Sequence, residues 1–382
     1  MSGSAPAFIT RLTLSDFRNH ERLDIKVGAP LVAFVGDNGA GKTNILEAIS
    51  FLTAGRGIRR AALADIARHD GSGGWSVSAR IESDGLESQI GTGFSAGNSG
   101  RKVRIDGEDI RTTETLLDYV RVLWLVPSMD GLFTGPAGDR RRFLDRLTLS
   151  IDPAHGRRVG DFEKALRHRN KLLDQDGGDS FLSAIETQVA ELGTAVSLAR
   201  LETVSLLSTA LSRQTDGAAV FPKADIVFEG EFESRFAAMP ATEAETGFLE
   251  MLKNSRFRDR QAGRTLLGPH LSDLQVRHSA KNMPASRCST GEQKALLIGL
   301  ILAHAELTRS VTGTPPILLL DEVAAHLDPG RRAGLFAKLS EIGGQVFMTG
   351  TDEALFDALP DNDEIHLIAH PACRLLRGAS SP

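Results

Sequence analysis

The sequence predicts an α/β protein: a mixed-sheet head with an antiparallel β addition, interrupted by a mostly helical arm. Three observations predict it. A glycine-rich loop over residues 36–43 sits between the apolar run Leu31–Val35 and a helical period. A second apolar run, Ile317–Leu320, ends on two carboxylates, Asp321 and Glu322. Between them, from about residue 140 to 264, alternation gives way to helical stripes. The expected division is head over residues 1–138, arm over 139–265 and head again over 266–382.

The totals narrow the class. At 382 residues the chain is long for one domain. With 41% hydrophobic and 24% charged residues it reads as a folded, soluble protein. Aromatics are only 5%, which points to an aliphatic core. A net charge of −5 does not suggest a general polyanion binder, so any nucleic-acid site must be a local basic patch. The two cysteines, Cys288 and Cys373, lie too far apart for zinc spacing or a disulfide framework. The N-terminus lacks a signal-peptide pattern. No apolar run reaches the roughly 18–20 residues that span a bilayer. A cytoplasmic protein without a membrane partner is expected.

The elements follow in order. Phe8, Thr10, Leu12 and Leu14 alternate with polar neighbours, as on one face of a strand. Residues 75–81 and 102–105 alternate as well, and Asp106-Gly107 marks a hairpin turn. Residues 91–100 are rich in Gly and Ser and read as a mobile loop. In the arm, Leu182, Ile185, Val189, Leu192 and Val196 form a helical stripe that residues 201–211 continue. Residues 237–245 read as a loop. Gln345 to Thr349 is a further buried strand.

Gly36-Asp37-Asn38-Gly39-Ala40-Gly41-Lys42-Thr43 matches G-x-x-x-x-G-K-[ST], with a strand before and a helix after. Glycines let the backbone turn so that successive N–H groups face phosphate oxygens, and the helix start adds its positive end. Lys42 suits the β- and γ-phosphates of ATP, and Thr43 suits Mg²⁺. A strand buried on both faces delivers Asp321 to the carboxyl edge of the sheet, where it serves the same Mg²⁺. Glu322, next along, suits the base that deprotonates the attacking water.

Ser289-Thr290-Gly291-Glu292-Gln293 opens a third helix. Ser289 and Glu292 have capping-box spacing, so a plain well-capped helix is one reading. The order glycine loop, Ser-x-Gly, Asp-Glu, then Ala325-His326-Leu327-Asp328 resembles an ABC-type ATPase. There the serine-glycine helix start binds the nucleotide of the opposite subunit, which implies a head-to-head, ATP-dependent homodimer with Ser289 and Gly291 completing the partner's pocket. Cys288 stands where that signature has leucine.

The resemblance narrows to the RecF family of bacterial recombinational repair ATPases. Leu14-Ser15-Asp16-Phe17-Arg18-Asn19-His20 is similar to its opening Leu-x-x-Phe-Arg-Asn-Tyr, with His20 in place of tyrosine, and places Arg18 and Asn19 among the cofactor-binding residues. Arg140-Arg141-Arg142-Phe143-Leu144-Asp145, Leu267-Gly268-Pro269-His270-Leu271-Ser272-Asp273 and Met348-Thr349-Gly350-Thr351 resemble its arm, its Gly-Pro-His segment and its switch strand. The histidine of transporter ATPases is missing, and Thr349 or Thr351 takes its place. Membership implies binding to DNA at single-strand/double-strand junctions, action with RecR and RecO in loading the recombinase RecA at gaps, slow hydrolysis, and a part in the response to DNA damage. Two alternatives stay open: a nucleotide-gated scaffold for partner proteins, and an ATPase subunit of another ABC-type assembly.

Two basic runs bear on DNA. Residues 140–171 hold ten basic against four acidic residues, Arg140, Arg141, Arg157, Arg158 and Arg167 among them. The second run includes Arg256 and Arg258. With few aromatics inside them, these runs suit duplex phosphates rather than base stacking. Solvated helix faces with internal ion pairs are the competing reading, and Arg141 and Arg142 equally suit tying the arm to the head.

Overall fold

The computed structural model describes residues 6–98, 100–175, 178–213, 220–360, 363–369 and 372–377. The chain begins with β1 (Phe8–Phe17), β2 (His20–Lys26), β3 (Leu31–Val35), α1 (Lys42–Ile49), β4 (Trp75–Ser83), β5 (Leu86–Phe94), β6 (Lys102–Ile105), β7 (Glu108–Ile110) and β8 (Val122–Leu125). Next come α2 (Ala137–Ile151), α3 (His155–Asp174), α4 (Asp179–Ser212), β9 (Ala224–Glu229), α5 (Glu231–Phe236), α6 (Ala241–Ala262), β10 (Asp273–His278) and β11 (Met283–Pro284). The last part holds α7 (Thr290–Thr312), β12 (Ile317–Leu320), α8 (Pro329–Ile342), β13 (Val346–Gly350), β14 (Glu364–Ala369) and β15 (Ala372–Arg377). They form two units, residues 1–130 with 297–382, and Gly131–Leu296.

The first unit contains two six-stranded sheets. One has the order β2-β1-β4-β5-β6-β7 and is antiparallel throughout. A register shift between Ile9 and Arg11 changes the phase of β1, so Ile9 is buried with Leu12 and Leu14 where simple alternation placed Phe8 and Thr10. The β6–β7 turn has positive φ at both Asp106 (50°) and Gly107 (90°), as a two-residue hairpin with the strands' own twist requires. Gly91 and Gly93 lie inside β5, paired to β4 and β6, so the expected loop begins only after Phe94.

The other sheet runs β15-β14-β3-β13-β12-β8, with β14, β3, β13, β12 and β8 parallel and β15 an antiparallel hairpin partner of β14. Every residue of β3, β12, β13 and β8 is buried, which is why these strands read as unbroken apolar runs. Ile45, Leu46, Ala48 and Ile49 of α1 share one core with residues of both sheets, among them Leu14, Phe34, Val77 and Phe347. Thr290–Thr312 is long and apolar enough to cross a membrane by length and composition, with 72% of its most apolar window buried inside the protein.

The second unit packs α2 to α6 with a small antiparallel sheet, β11-β10-β9. Its core is mostly aliphatic, as expected, but four rings also meet there: Phe162, Phe232, Phe236 and Phe248, with the Phe232 and Phe248 rings 5.0 Å apart edge to face. The stripe through Val189 and Val196 belongs to one 34-residue helix, α4. Helix α6 starts at Ala241 behind Pro240, so residues 241–245 are helical rather than loop. Arg169 is fully buried and donates to Glu186 (3.1 Å), Asp259 (2.7 Å), Thr265 (2.8 Å) and the Leu252 carbonyl (2.7 Å). Arg256 holds the same Glu186 at 2.6 Å. One charged cluster thus joins α3, α4 and α6.

Candidate active site

Because β3, β13 and β12 are parallel neighbours, the segments that follow them emerge at one sheet edge. The glycine loop leaves β3 there. Gly36 has φ 147°, and a Cβ on it would come within 2.3 Å of the Ile368 carbonyl. Gly41 starts α1 in the left-handed region (φ 100°), where a Cβ would meet His20 Nε2 at 2.6 Å and Asn19 Nδ2 at 2.7 Å. Only glycine fits such a position. Lys42 is buried and its Nζ donates to the Gly36 (2.6 Å) and Asp37 (2.9 Å) carbonyls. Burial pushes its ammonium below the usual lysine range, opposed by the charges of Glu322, Asp321 and Asp37. A cavity of about 620 Å³ opens on the loop, lined by Gly36, Asp37, Asn38, Ala40 and, from beyond β13, Thr351 and Asp352.

Asp321 ends β12 in a buried position that demands partners. Thr43 Oγ1 donates to its two carboxylate oxygens at 2.9 and 3.0 Å, and Thr349 Oγ1 donates to Oδ1 at 2.7 Å. The hydroxyl of Thr349 also accepts the Glu322 N–H at 2.9 Å. That bond helps hold Glu322 at φ 54°, a left-handed conformation costing a non-glycine residue about 1–3 kcal/mol and concentrated at functional sites. Of the two switch threonines, Thr349 is the one bonded to the carboxylate. Thr43 and Asp321 bring hard oxygen donors together, as Mg²⁺ prefers.

The residues read as cofactor ligands at the β1–β2 turn are placed behind the loop. Arg18 gives Glu47 a two-pronged ion pair (2.9 and 2.7 Å) and donates to the Asp65 carbonyl (2.8 Å). Asn19 Oδ1 accepts from Asn44 (2.7 Å). His20 is 2% exposed, with Nε2 3.3 Å from the Gly41 carbonyl, so it braces the loop and offers no open face to an adenine.

The capping box predicted at α7 is formed. Ser289 donates to Glu292 Oε2 from both its N–H and its Oγ (3.0 Å each), and Lys281 pairs with Glu292. Led by the Lys281 hydrogen bond and aided by those from Ser289, these contacts hold the Glu292 carboxyl down at about 2. Ser289, Thr290 and Gly291 are exposed at this helix start, and nothing lies within 4 Å of a Cβ on Gly291. Asp328, in the segment after Glu322, caps α8 by accepting the Arg331 N–H at 2.9 Å.

The arm arginines divide. Arg140 is clamped by Asp273 (2.8 Å twice) and donates to the Gly135 carbonyl (2.6 Å). Arg141 donates to the Ser272 carbonyl (2.6 Å), and Arg256 is bound to Glu186. Carboxylates inside the arm already match Arg140 and Arg256, and a carbonyl takes one donor of Arg141, contacts that favour structural roles over phosphate contacts for these three. Arg158 pairs with Asp152. Arg157 and Arg167 are exposed on α3 together with Lys164 and Lys171, and Arg258 is exposed on α6. Arg157, Lys164 and Lys171 recur every seven residues, which keeps them on one helix face.

Fold and site together define an ABC-type P-loop ATPase head whose chain is broken by an arm. The model of the RecF/RecN/SMC N-terminal domain matches residues 8–369, and the chain belongs to the RecF family. It is 54% identical over 369 residues to the DNA replication and repair protein RecF of Mesorhizobium japonicum, covering 96% of this chain and 97% of that one. It is 56% identical over 354 residues to the protein of the same name from Brucella suis, covering 92% of each. Its fold is similar to that of the recombination mediator protein RecF-ATPrS of the RecFOR pathway, with a TM-score of 0.86 at 22% identity over 98% of this chain and all of that one. The Smc head domain of Pyrococcus furiosus shares the fold more distantly, with a TM-score of 0.54 at 14% identity over 97% of this chain and 96% of that one.

Proposed function

We propose that this protein is an ATP-switched, DNA-binding ATPase of recombinational repair and replication restart. ATP binding closes a head-to-head dimer on the double-stranded part of gapped or junction DNA, hydrolysis is slow and releases it, and RecR and RecO are the partners in loading a recombinase. The observation that carries the reading is the joining of Thr43, Asp321, Thr349 and Glu322 at one sheet edge beside Lys42. Family membership supplies the repair context.

The roles follow from chemistry. Backbone N–H groups of residues 36–43 and the start of α1 hold the phosphates. Lys42 neutralises charge on the β- and γ-phosphates. Thr43 and Asp321 would hold Mg²⁺, which supplies charge neutralisation at the phosphates when bound. Glu322 accepts the proton of the attacking water. Ser289 and Gly291, open at the start of α7, serve the nucleotide of the second subunit. The exposed face of α3, with Arg157, Lys164, Arg167 and Lys171, follows the DNA backbone, and Arg258 adds to it. Phosphate contacts of this kind predict steep salt dependence.

Sedimentation tests the switch and the substrate class together. Monomer without ATP, dimer with ATP and a heavier complex on adding gapped duplex are expected. A chain that stays monomeric with ATP and ignores gapped DNA at low salt contradicts the proposal.

A further inference from the structure

The helix that carries the phosphate loop contains a carboxylate with no place in the chemistry above. Glu47 is 1% exposed on α1, among Ile45, Leu46, Ala48 and Ile49. Burying a carboxylate is costly unless it is paired and hydrogen-bonded. Here two arginines pair with it. Arg18 grips both oxygens, and Arg59 Nη1 reaches Oε2 while donating to Asn44 Oδ1 at 2.8 Å. Asn44 Nδ2 donates in turn to Asn19 Oδ1 at 2.7 Å, and Asn19 lies against the position where Gly41 admits no side chain.

The path leaves α1 at Glu47, passes through Arg59 and Asn44, and ends on Asn19, whose side chain fills the space a side chain at Gly41 would need. Glu47 is four residues after Thr43 and three after Asn44, so it is a helix-surface neighbour of each. Arg18 also fastens the path to the Asp65 carbonyl, outside the loop.

We infer that Glu47 is a positioning residue of the nucleotide site: it gathers Arg18 and Arg59 so that Asn44 and Asn19 fix the turn at Gly41 and, with it, the N–H groups and hydroxyl aimed at the phosphates. The inference rests on the nucleotide reading above and deepens it. It moves Arg18 and Asn19 from ligands to supports. One carboxylate between two guanidiniums also leaves an excess positive charge one turn below Thr43, favourable to a bound polyphosphate.

The test is titration of the full chain with a fluorescent methylanthraniloyl derivative of ATP, beside thermal melting without nucleotide. Glu47→Gln keeps the shape and removes the charge. It should weaken binding about tenfold, as loss of a supporting shell does at other sites, and raise the KM for ATP more than it lowers kcat. Asn44→Ala, which deletes hydrogen bonds and no charge, should weaken binding less, and the double variant should fall short of the sum because both act through one path. Parent-like affinity in Glu47→Gln with only a lowered melting temperature overturns the inference. If Glu47→Gln does not fold, Asn44→Ala decides alone, and parent-like affinity there overturns it. Failure of the parent itself to bind the analogue overturns the nucleotide reading instead.

Discussion

Head and arm bury charge in mirror-image ways. In the head one carboxylate, Glu47, lies between Arg18 and Arg59, and the cluster backs a loop built for phosphate. In the arm one guanidinium, Arg169, lies between Glu186 and Asp259, both fully buried. The head cluster keeps both arginines partly exposed, Arg59 more than Arg18, and an excess of positive charge. The arm cluster is shut from water on every member but Arg256. The difference teaches that an arginine in a basic run is informative about partners only once its carboxylates are located. The arm shows ten basic residues in residues 140–171, yet several of them hold its own helices together.

The contrast can be broken at several points. The largest effect is expected from Arg169→Met, which strands Asp259 in the arm core, leaves Glu186 to Arg256 alone and should cost about 3–5 kcal/mol. Denaturant unfolding followed by hydrogen exchange should show amides of α3, α4 and α6 losing protection first. Thr349→Val comes next. It leaves the Glu322 N–H without its acceptor and Asp321 with one donor fewer, a loss of about 1–3 kcal/mol, read as slower single-turnover ATP hydrolysis. The smallest effects separate the arginines. Arg157→Ala and Arg167→Ala should each weaken duplex binding and lower the slope of log affinity against log salt by about one. Arg140→Ala should leave that slope unchanged and lower the arm's melting temperature, because its partner is Asp273 rather than a phosphate. Equal slopes for all three would erase the distinction between ridge and scaffold.

Legibility in the sequence follows contiguity. The glycine loop, Asp321-Glu322 and the Ser289–Glu292 box each occupy a few adjacent residues whose geometry is set by one strand end or one helix start. Residue type and spacing therefore suffice to find them. The sequence offers Thr349 and Thr351 as candidates, and only the register of β13 against β12 decides between them. Glu47 left no signal, because its partners come from 29 and 12 residues away and it looks like an ordinary polar position on a helix. The same limit applies to Arg140, whose Asp273 is 133 residues distant. In β1 the irregularity at Ile9 and Arg11 shifted the phase that alternation predicts. Strand β9 leaves no signal inside the helical arm, since six residues carry little periodicity, and its partners β10 and β11 lie past residue 265, where the sequence places the head.

The central claim is that ATP closes two heads on each other and hydrolysis opens them. Glu322→Gln tests it most directly, since the amide cannot take the proton of the attacking water while Thr349 still has the residue 322 N–H to hold. Sedimentation velocity with ATP, followed by a chase with excess ADP, should show a dimer that outlasts the parent's by an order of magnitude or more. A variant that dimerises and dissociates at the parent's rate would contradict the account and leave ATP as a ligand without a switching role.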